Sequence, residues 1–478
     1  MEPFFGSGAL ERYRHATNND HRGECLGAAE ERVHTALVAG EETALKESLA
    51  DAHPADLAEV MERLGNEDAL RVFRALDAER AAEALDELDP DTARFFLDNE
   101  VPERIASLLD LLPMDDAAEV LAESATPERQ EALLRQWTDQ EDAAEVRELL
   151  SYPKSSAGRL MTEKFVRVAP NLTVEEAFGV IRHADPEVET LSDLYVLEGE
   201  ELMGVLSLRE LVRASPAQKL SEIMTTNVIS VRVDTDQEEA AQLIAKYDFM
   251  ALPVIHANGT IAGIITVDDI IDVLTEEQTE DVFKQGAISA EPGVLNAPYF
   301  SVPIWRVVRS RVGWLVLLFV AETATGAVLR HFEDELAKVV ALSFYVPLLI
   351  GTGGNTGAQT VSTIIRSIAL REIRGRDTGR VLARELLSGV LLGLLLGGIA
   401  FGRAMLWGSG LQLSLVVALS ILAICTWANT IGSLIPLAAT KLKVDPALVS
   451  APLITTLVDA TGLVIYLTVA RMLLTQLH

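Results

Sequence analysis

Cysteine is scarce in this sequence, and basic residues are few compared with acidic ones. Cys25 and Cys425 are the two cysteines in 478 residues, and their wide separation gives no disulfide framework. The chain has 40 Lys and Arg residues against 71 Asp and Glu residues, a net charge of −31. Nucleic-acid binding requires a basic face that neutralises phosphates, so this class of partner is disfavoured. Residues 1–20 also lack the apolar core of a secretory signal peptide.

The acidic charge is concentrated in one part of the chain. Residues 1–284 contain 61 acidic and 25 basic residues, a net charge of −36, whereas residues 285–478 contain 10 acidic and 15 basic residues, a net charge of +5. The mean hydropathy is nevertheless positive, at +0.22, because the second part contains long apolar runs. An acidic soluble region joined to an apolar membrane region is therefore expected, rather than one cytosolic globule.

The apolar runs predict five membrane-spanning helices, since about 20 apolar residues cross a hydrocarbon core. They are placed at 312–329, 339–365, about 386–407, about 411–438 and about 447–473. Loops rich in Arg or Lys (306–311, 371–384 and 441–443) belong in the cytoplasm by the positive-inside rule, and the acidic segment 331–335 belongs outside. The prediction is a plasma (inner) membrane protein with cytoplasmic N-terminal domains and an external C-terminus.

A repeat occupies residues 54–137. Its units begin at Pro54, Asn66, Asp77, Asp89, Pro102, Met114 and Thr126, at steps of 11 to 13 residues. Each unit opens with a helix-start residue and continues with an apolar pattern. Short helices stacked into a right-handed superhelix are predicted, with an ordinary helical bundle as the alternative.

Residues 152–278 contain two successive units of about 60 residues, each with the predicted order strand, helix, strand, turn, strand, helix. In the second unit, the turn HANGT lies between apolar strands and predicts a hairpin. This duplication resembles a tandem pair of CBS domains, which commonly sense small ligands. Thr266 and Asp269 match the nucleotide-contacting hydroxyl and carboxylate of that pattern, and Ser207 and Glu210 are their equivalents in the first unit. Binding of ATP or another adenine nucleotide is therefore possible but not required.

An acidic segment follows the second unit, with seven acids and no base in residues 268–281. Like charges at helical spacing destabilise a helix, so either divalent cations compensate them or they form a solvated face. Asp236 and Glu238 also allow two interpretations. They bind a cation, or they are acids that the helix dipole favours at the start of a helix.

Several polar residues lie in the predicted spans. Asp459 is alone in the fifth span, where a carboxylate costs about 2.5–3.5 kcal/mol to insert and is functional by default; a structural hydrogen bond is the alternative. The second span contains GTGGNTGAQ (351–359), which either exposes polar groups to a cavity or packs helices through its glycines. Asp445 is a helix cap or a cation site. Glu322 is expected to snorkel.

The order of these regions, together with GTGGNTGAQ, VDPALVSAPLITTLVDATGLVIY and TVDDIIDVLTEEQTED, resembles the MgtE family of magnesium channels and transporters. The resemblance covers about residues 27–478. It implies a multidomain protein with an N-terminal extension (1–26), an all-α superhelical N domain (27–151), an α/β CBS pair (152–217 and 218–275), an acidic connecting or plug helix (276–300, the helix itself at about 268–290) and an α-helical membrane domain of five spans (301–478).

The resemblance also implies roles for particular residues in a homodimer whose pore lies between two membrane bundles. Asp459 would select Mg²⁺ through bound water, Asn355 would line the pore and Asp445 would lie near its cytoplasmic side. Regulatory Mg²⁺ would be bound by Asp115, Glu119, Glu210, Asp236, Glu238, Asp248, Asp269, Asp272, Glu277, Glu280 and Asp281, with Gly158 and Ala245 contributing backbone carbonyls.

The implied function is Mg²⁺ influx that cytosolic Mg²⁺ shuts off, because bound ions draw acidic faces together. An energised secondary transporter of divalent cations and a membrane-anchored nucleotide sensor are the alternatives. No inverted repeat supports the first, and the polar content of spans two and five argues against the second. No catalytic constellation or P-loop is present, so an enzyme is not expected.

Overall fold

A computed structural model of the chain describes residues 31–38, 42–49, 52–186, 188–289 and 302–477. The N-terminal extension (1–26), including Cys25, and residues 290–300 of the connecting segment lie outside these described residues. The chain divides into two compact units, a soluble unit that extends to Glu276 and a second unit that begins at Glu277.

The predicted repeat is a series of short helices. Its seven helices begin at the predicted residue or one residue later, because Asp77, Asp89 and Thr126 are N-caps whose side chains accept backbone N–H groups of the first turn. The helices are Pro54–Arg63, Asn66–Ala75, Ala78–Asp86, Pro90–Asn99, Pro102–Leu109, Met114–Ser124 and Pro127–Leu134, flanked by Glu42–Leu49 and Gln140–Ser151.

Helices two positions apart in this series pack against each other. Pro54–Arg63 contacts Ala78–Asp86, and Pro90–Asn99 contacts Met114–Ser124. The rings of Phe73 and Phe96 stack in the core, with centroids 4.6 Å apart. This staggered stacking is typical of a superhelix; its right-handed sense stays a prediction.

Two small sheets follow, and the predicted internal duplication is confirmed. In the first sheet, β1 (Arg167–Val168) pairs in parallel with β2 (Asp193–Glu198), which pairs antiparallel with β3 (Glu201–Ser207). The second sheet repeats this pattern with β4 (Val231–Arg232), β5 (Ala251–Ile255) and β6 (Ile261–Thr266). The HANGT hairpin is present between β5 and β6, and Gly259 adopts the positive φ of +89° that its turn requires. The helices of the two units are Val174–Arg182 and Leu208–Arg213, then Gln237–Tyr247 and the start of Val267–Gln285.

The connecting helix, Val267–Gln285, begins directly after β6. It therefore starts inside the region assigned to the second CBS domain, and it ends earlier than the predicted residue 290. The helix stops because Gly286 follows it and Ala287 adopts a left-handed conformation, with φ of 56°.

The second unit contains five long helices. By length and apolarity, four of them qualify as membrane spans among the described residues. The helix Val346–Ala369 has 24 residues but is more polar, and it starts later than predicted because Pro347 occupies its first turn. The five are Ile304–His331, Val346–Ala369, Thr378–Leu406, Gly410–Lys441 and Ala451–Leu473.

Glycines allow these helices to approach closely. A Cβ at Gly353 would lie 2.6 Å from Ile424 Cγ2, and one at Gly393 would lie 2.7 Å from Leu422 Cα. A larger residue at either position would push two helices apart. The helix-packing interpretation of the second span's glycines is thus correct for Gly353, and the same helix carries an exposed polar face described below.

Candidate cation sites

Seven carboxylates of the soluble unit lie close enough to repel one another, and we call them the acid cluster. They come from two repeat helices, a loop of the first CBS domain and the start of the connecting helix. The members are Asp86, Asp115, Asp116, Glu119, Glu189, Asp269 and Asp272.

The acid cluster is buried. Asp115 is 7% exposed, and its Oδ1 has no hydrogen-bond partner among the described residues. Burial raises the pKa of Asp115 well above its usual range, and repulsion from Asp269 and Glu189 raises it further. Burial likewise raises the pKa of Glu119 to about 7 and that of Asp269 to about 6. Carboxylates removed from water in this way require neutralisation.

Protonation would neutralise these carboxylates, and so would divalent cations with oxygen ligands, although the acid cluster is not a closed metal cage. Within the described ranges, no three His, Cys, Asp or Glu side chains are placed to hold one ion. Arg159 acts electrostatically on Glu119 and Glu123, which leaves most of the cluster's charge in excess. Mg²⁺ keeps several waters and uses one or two carboxylates, so the burial and unpartnered oxygen of Asp115 fit a hydrated Mg²⁺.

The raised pKa values predict how stability depends on pH and metal. The pKa of these carboxyls is higher in the folded protein than in the unfolded chain, where it is about 4. Their contribution to the stability of the fold is complete below about pH 4, and it is lost as the pH rises through the pKa of the folded state. For Glu119 and Asp269 the loss occurs as pH rises from about 4 to about 7. In chelator, the melting temperature of the full chain in detergent should fall by about 5 °C or more between pH 5 and 8.

Mg²⁺ should abolish this fall, because it binds the charged carboxylates. Differential scanning fluorimetry across the pH range, with chelator or Mg²⁺, measures both effects. Asp98→Asn, which changes an exposed acid of a neighbouring repeat helix, is the control and should behave as the wild type. A melting temperature that is independent of pH in chelator would contradict the burial of these charges.

A second predicted set lies along the helix Gln237–Tyr247. Asp236 is its N-cap and accepts the backbone N–H of Glu238 at 2.9 Å; Ala245 and Asp248 lie at the other end, where Asp248 has a φ of 55°. The ends of this 11-residue helix are about 16 Å apart at 1.5 Å per residue. One chain therefore does not bring the two pairs to a single ion.

The Gly158 position and the Glu210 carboxylate have structural roles. A Cβ at Gly158 would lie 2.9 Å from Val233 O, so close packing explains the glycine. Glu210 forms a capping box in which its Oε2 accepts from Ser207 N at 3.0 Å and from Ser207 Oγ at 2.8 Å. In the second unit, Thr266 Oγ1 donates to Asp269 Oδ2 at 2.7 Å. The paired hydroxyl and carboxylate predicted for nucleotide contact therefore face each other in both units.

Asp459 lies midway along the fifth long helix, against the second. A Cβ at Gly354 would lie 3.4 Å from Asp459 Oδ1, and this oxygen is buried without a hydrogen-bond partner among the described residues. Glu322 of the first long helix is near enough to act on it electrostatically. No hydrogen bond from the described residues to this oxygen accounts for Asp459, which favours the functional interpretation over the structural one.

The second long helix has two distinct faces. Gly353, Gly354 and Gly357 are buried against the fourth and fifth helices. Asn355 and Gln359, one turn apart, are exposed. Asn355 therefore lies on a polar face that no other described residue covers, next to the glycine that contacts Asp459.

Asp445 caps the short turn before the fifth helix, where its Oδ1 accepts from Ala447 N at 2.8 Å. Its other oxygen accepts from Lys284 Nζ at 2.7 Å, and Lys284 also donates to Glu280 Oε1 at 2.7 Å. Asp281 is near enough to Asp445 for repulsion to raise its pKa, after the larger effect of burial. Glu277, Glu280, Asp281 and Asp445 as Mg²⁺ ligands stay a prediction.

Sequence reasoning missed three members of the acid cluster. Asp86 is the last residue of its helix, where a carboxylate is disfavoured by the helix dipole, and this local conflict was the available signal. Asp116 follows Asp115 and looks like an ordinary first-turn acid. Glu189 lies in a loop and gives no local indication.

Comparisons with known families agree along most of the chain. The MgtE intracellular N domain matches residues 52–155, CBS domains match residues 157–217 and 220–276, and the MgtE family of divalent cation transporters matches residues 346–469.

Individual relatives show the same relationship. The magnesium transporter MgtE of Thermus thermophilus is 42% identical over 443 residues, which cover 92% of this chain and 97% of that protein. The magnesium transporter MgtE of Bacillus subtilis is 36% identical over 67% of this chain and 70% of its own length. A crystal structure of the cytosolic domain of the Mg²⁺ channel MgtE in complex with ATP is 38% identical, with a TM-score of 0.48, and covers 51% of this chain and 99% of that one.

Similarity at this level over nearly the whole length establishes the family. An N domain, a pair of CBS domains and an apolar helical region follow one another as the sequence predicted. This chain is a member of the MgtE family.

Proposed function

We propose that this chain forms a homodimeric, Mg²⁺-selective channel that admits Mg²⁺ into the cytoplasm and closes when cytosolic Mg²⁺ is abundant. The observation that carries the proposal is Asp459, a carboxylate with an unpartnered buried oxygen in an apolar helix of a divalent cation transporter family. An intramembrane acid without a structural partner marks an ion pathway.

One chain supplies one such carboxylate and one exposed Asn355 face. A two-fold axis beside these helices would bring two Asp459 side chains to one hydrated ion, and two-fold dimers are the commonest oligomers. The same symmetry would let Asp236 and Glu238 of one chain share an ion with Ala245 and Asp248 of the other. All five long helices would then cross the membrane, with the polar second helix facing the pore and the C-terminus outside.

The acid cluster supports closure by Mg²⁺. A ligand shifts the equilibrium between the open and closed states only if it binds one of them more tightly. Buried carboxylates from separate elements would bind Mg²⁺ more tightly in the closed state, where one ion bridges them. Weak sites of this kind respond in roughly the millimolar range. Several sites acting together would give a steep response.

The CBS pair supports a second ligand for the same channel. Thr266 and Asp269 hold the hydroxyl and carboxylate of the CBS nucleotide pattern, so an adenine nucleotide would bind beside the acid cluster, in which Asp269 takes part. Such a nucleotide would alter the Mg²⁺ concentration at which the channel closes.

The proposal is tested by Mg²⁺ flux into proteoliposomes containing the purified dimer. Flux should be passive and should decline as Mg²⁺ on the cytoplasmic face increases from micromolar to millimolar. Parallel assays with Mn²⁺, Co²⁺ and Ca²⁺ establish selectivity. Flux that requires a counter-ion would instead identify an exchanger, and nucleotide binding without any flux would identify a sensor.

A further inference from the structure

We propose that the ammonium group of Lys284 bridges the carboxylates of Glu280 and Asp445. This bridge attaches the connecting helix to the loop before the fifth membrane helix when no metal ion is bound. The proposal deepens the proposed function, because it assigns to the chain itself a position otherwise expected to take Mg²⁺. It stands on the geometry of three side chains within the second unit.

The three side chains form a closed arrangement. Lys284 Nζ lies 2.7 Å from Glu280 Oε1 and 2.7 Å from Asp445 Oδ2, and the lysine side chain is only 20% exposed. The other oxygen of Asp445 accepts Ala447 N. Both oxygens of Asp445 therefore accept a hydrogen bond, and a divalent ion at this carboxylate would compete with the Lys284 ammonium.

The sequence supports the same assignment. Lys284 is the one base on the connecting helix, which carries seven acids, and it lies on the turn after Glu280. Removing it would leave Asp445 beside Glu280 and Asp281 without the ammonium that lies between them, and repulsion among the three carboxylates would push the helix away from the loop. An ammonium at this point holds the helix end while divalent ions are absent.

The attachment has a direct consequence for ion binding. A Mg²⁺ ion that uses Asp445 or Glu280 would compete with an ammonium that is part of the chain, so the local concentration of its competitor is fixed and high.

The test measures the attachment itself, not flux. Spin labels are placed on the exposed positions Val282 and Leu442 through Val282→Cys and Leu442→Cys, in a Cys25→Ser background that retains the buried Cys425. Labelled chains are diluted with unlabelled full-length protein, and the intrachain distance distribution is recorded in chelator. The metal-free wild-type background should give one narrow distance.

Lys284→Gln should lose this narrow distance in chelator, whereas Lys284→Arg should keep it. Lys441→Gln is the matched control, because it removes one positive charge from the end of the fourth long helix, directly before the same loop, and should leave the distance unchanged. Lys284→Gln combined with Asp445→Asn removes the ion pair without leaving Asp445 as an acid that has lost its lysine, and it should also lose the narrow distance even if the single variant is unstable.

A narrow distance in both Lys284→Gln variants would overturn the proposal, and so would an equal loss in Lys441→Gln. A broad distance in metal-free wild type that narrows only with Mg²⁺ would also overturn it, because the attachment would then need metal. None of these results depends on transport. If wild type conducts no Mg²⁺ but Lys284 holds the helix, the proposed function fails and the Lys284 bridge stands.

Discussion

Asp459→Asn should reduce Mg²⁺ flux about 100-fold or more while the protein still folds as a dimer. The substitution removes the negative charge but keeps the shape that packs beside Gly354. A charge-assisted contact to an ion or to its water is worth up to about 3 kcal/mol, or roughly two orders of magnitude. Proteoliposome flux, with size-exclusion chromatography as a check on folding, measures the effect.

Glu333→Gln is the matched control, since it neutralises an exposed acid directly after the first long helix, whereas Glu322 acts on Asp459 electrostatically. It should leave most of the flux intact. Wild-type flux in Asp459→Asn would show that this carboxylate does not lie on the ion path. A loss of flux in both variants would indicate that general charge in the helices, not Asp459, is required.

Asp86→Asn together with Asp116→Asn should raise the Mg²⁺ concentration that half-closes the channel by about tenfold or more, since the lost ion contacts are charge-assisted and worth at least about 1.5 kcal/mol. Two opposing effects are involved, because the substitutions remove both the ion's ligands and the repulsion between them. Burial raises the pKa of Asp86 to about 7, so part of this repulsion is already relieved by protonation in the metal-free protein. Loss of the ion should therefore dominate.

Flux measured at increasing cytoplasmic Mg²⁺ tests this prediction, and Asp98→Asn again serves as the exposed control. An unchanged closing concentration in the double variant would remove the acid cluster from the gate. A channel that closes without Mg²⁺ would show that relief of repulsion is the larger effect.

The repeat helices were predictable because their boundaries are local. Asp77, Asp89 and Thr126 begin helices through their own side chains, and these contacts depend on the next two or three residues alone. Gly286 was an equally local signal for the end of the connecting helix. The prediction followed the acidic pattern of that helix instead and extended it to about residue 290, beyond its end at Gln285.

The acid cluster was only partly predictable because it forms only in the tertiary structure. Asp115 and Asp269 were expected from the family resemblance, but Asp86, Asp116 and Glu189 join them through helix stacking that no spacing in the sequence encodes. Lys284 illustrates the same limit, since its partner Asp445 is 161 residues away. A pattern of charges along one helix predicts that neutralisation is needed, and it does not say whether metal or a distant lysine provides it.

The hydrogen atom that Gly354 carries in place of a side chain sets the separation of the second and fifth long helices at the level of Asp459. A Cβ at this position would lie 2.8 Å from Thr455 Cγ2 and 3.4 Å from Asp459 Oδ1, so a larger residue would displace the backbone that carries this carboxylate. In the proposed channel, Gly354 would therefore fix the position of Asp459 relative to the two-fold axis, and so the width of the ion path, without touching the ion itself.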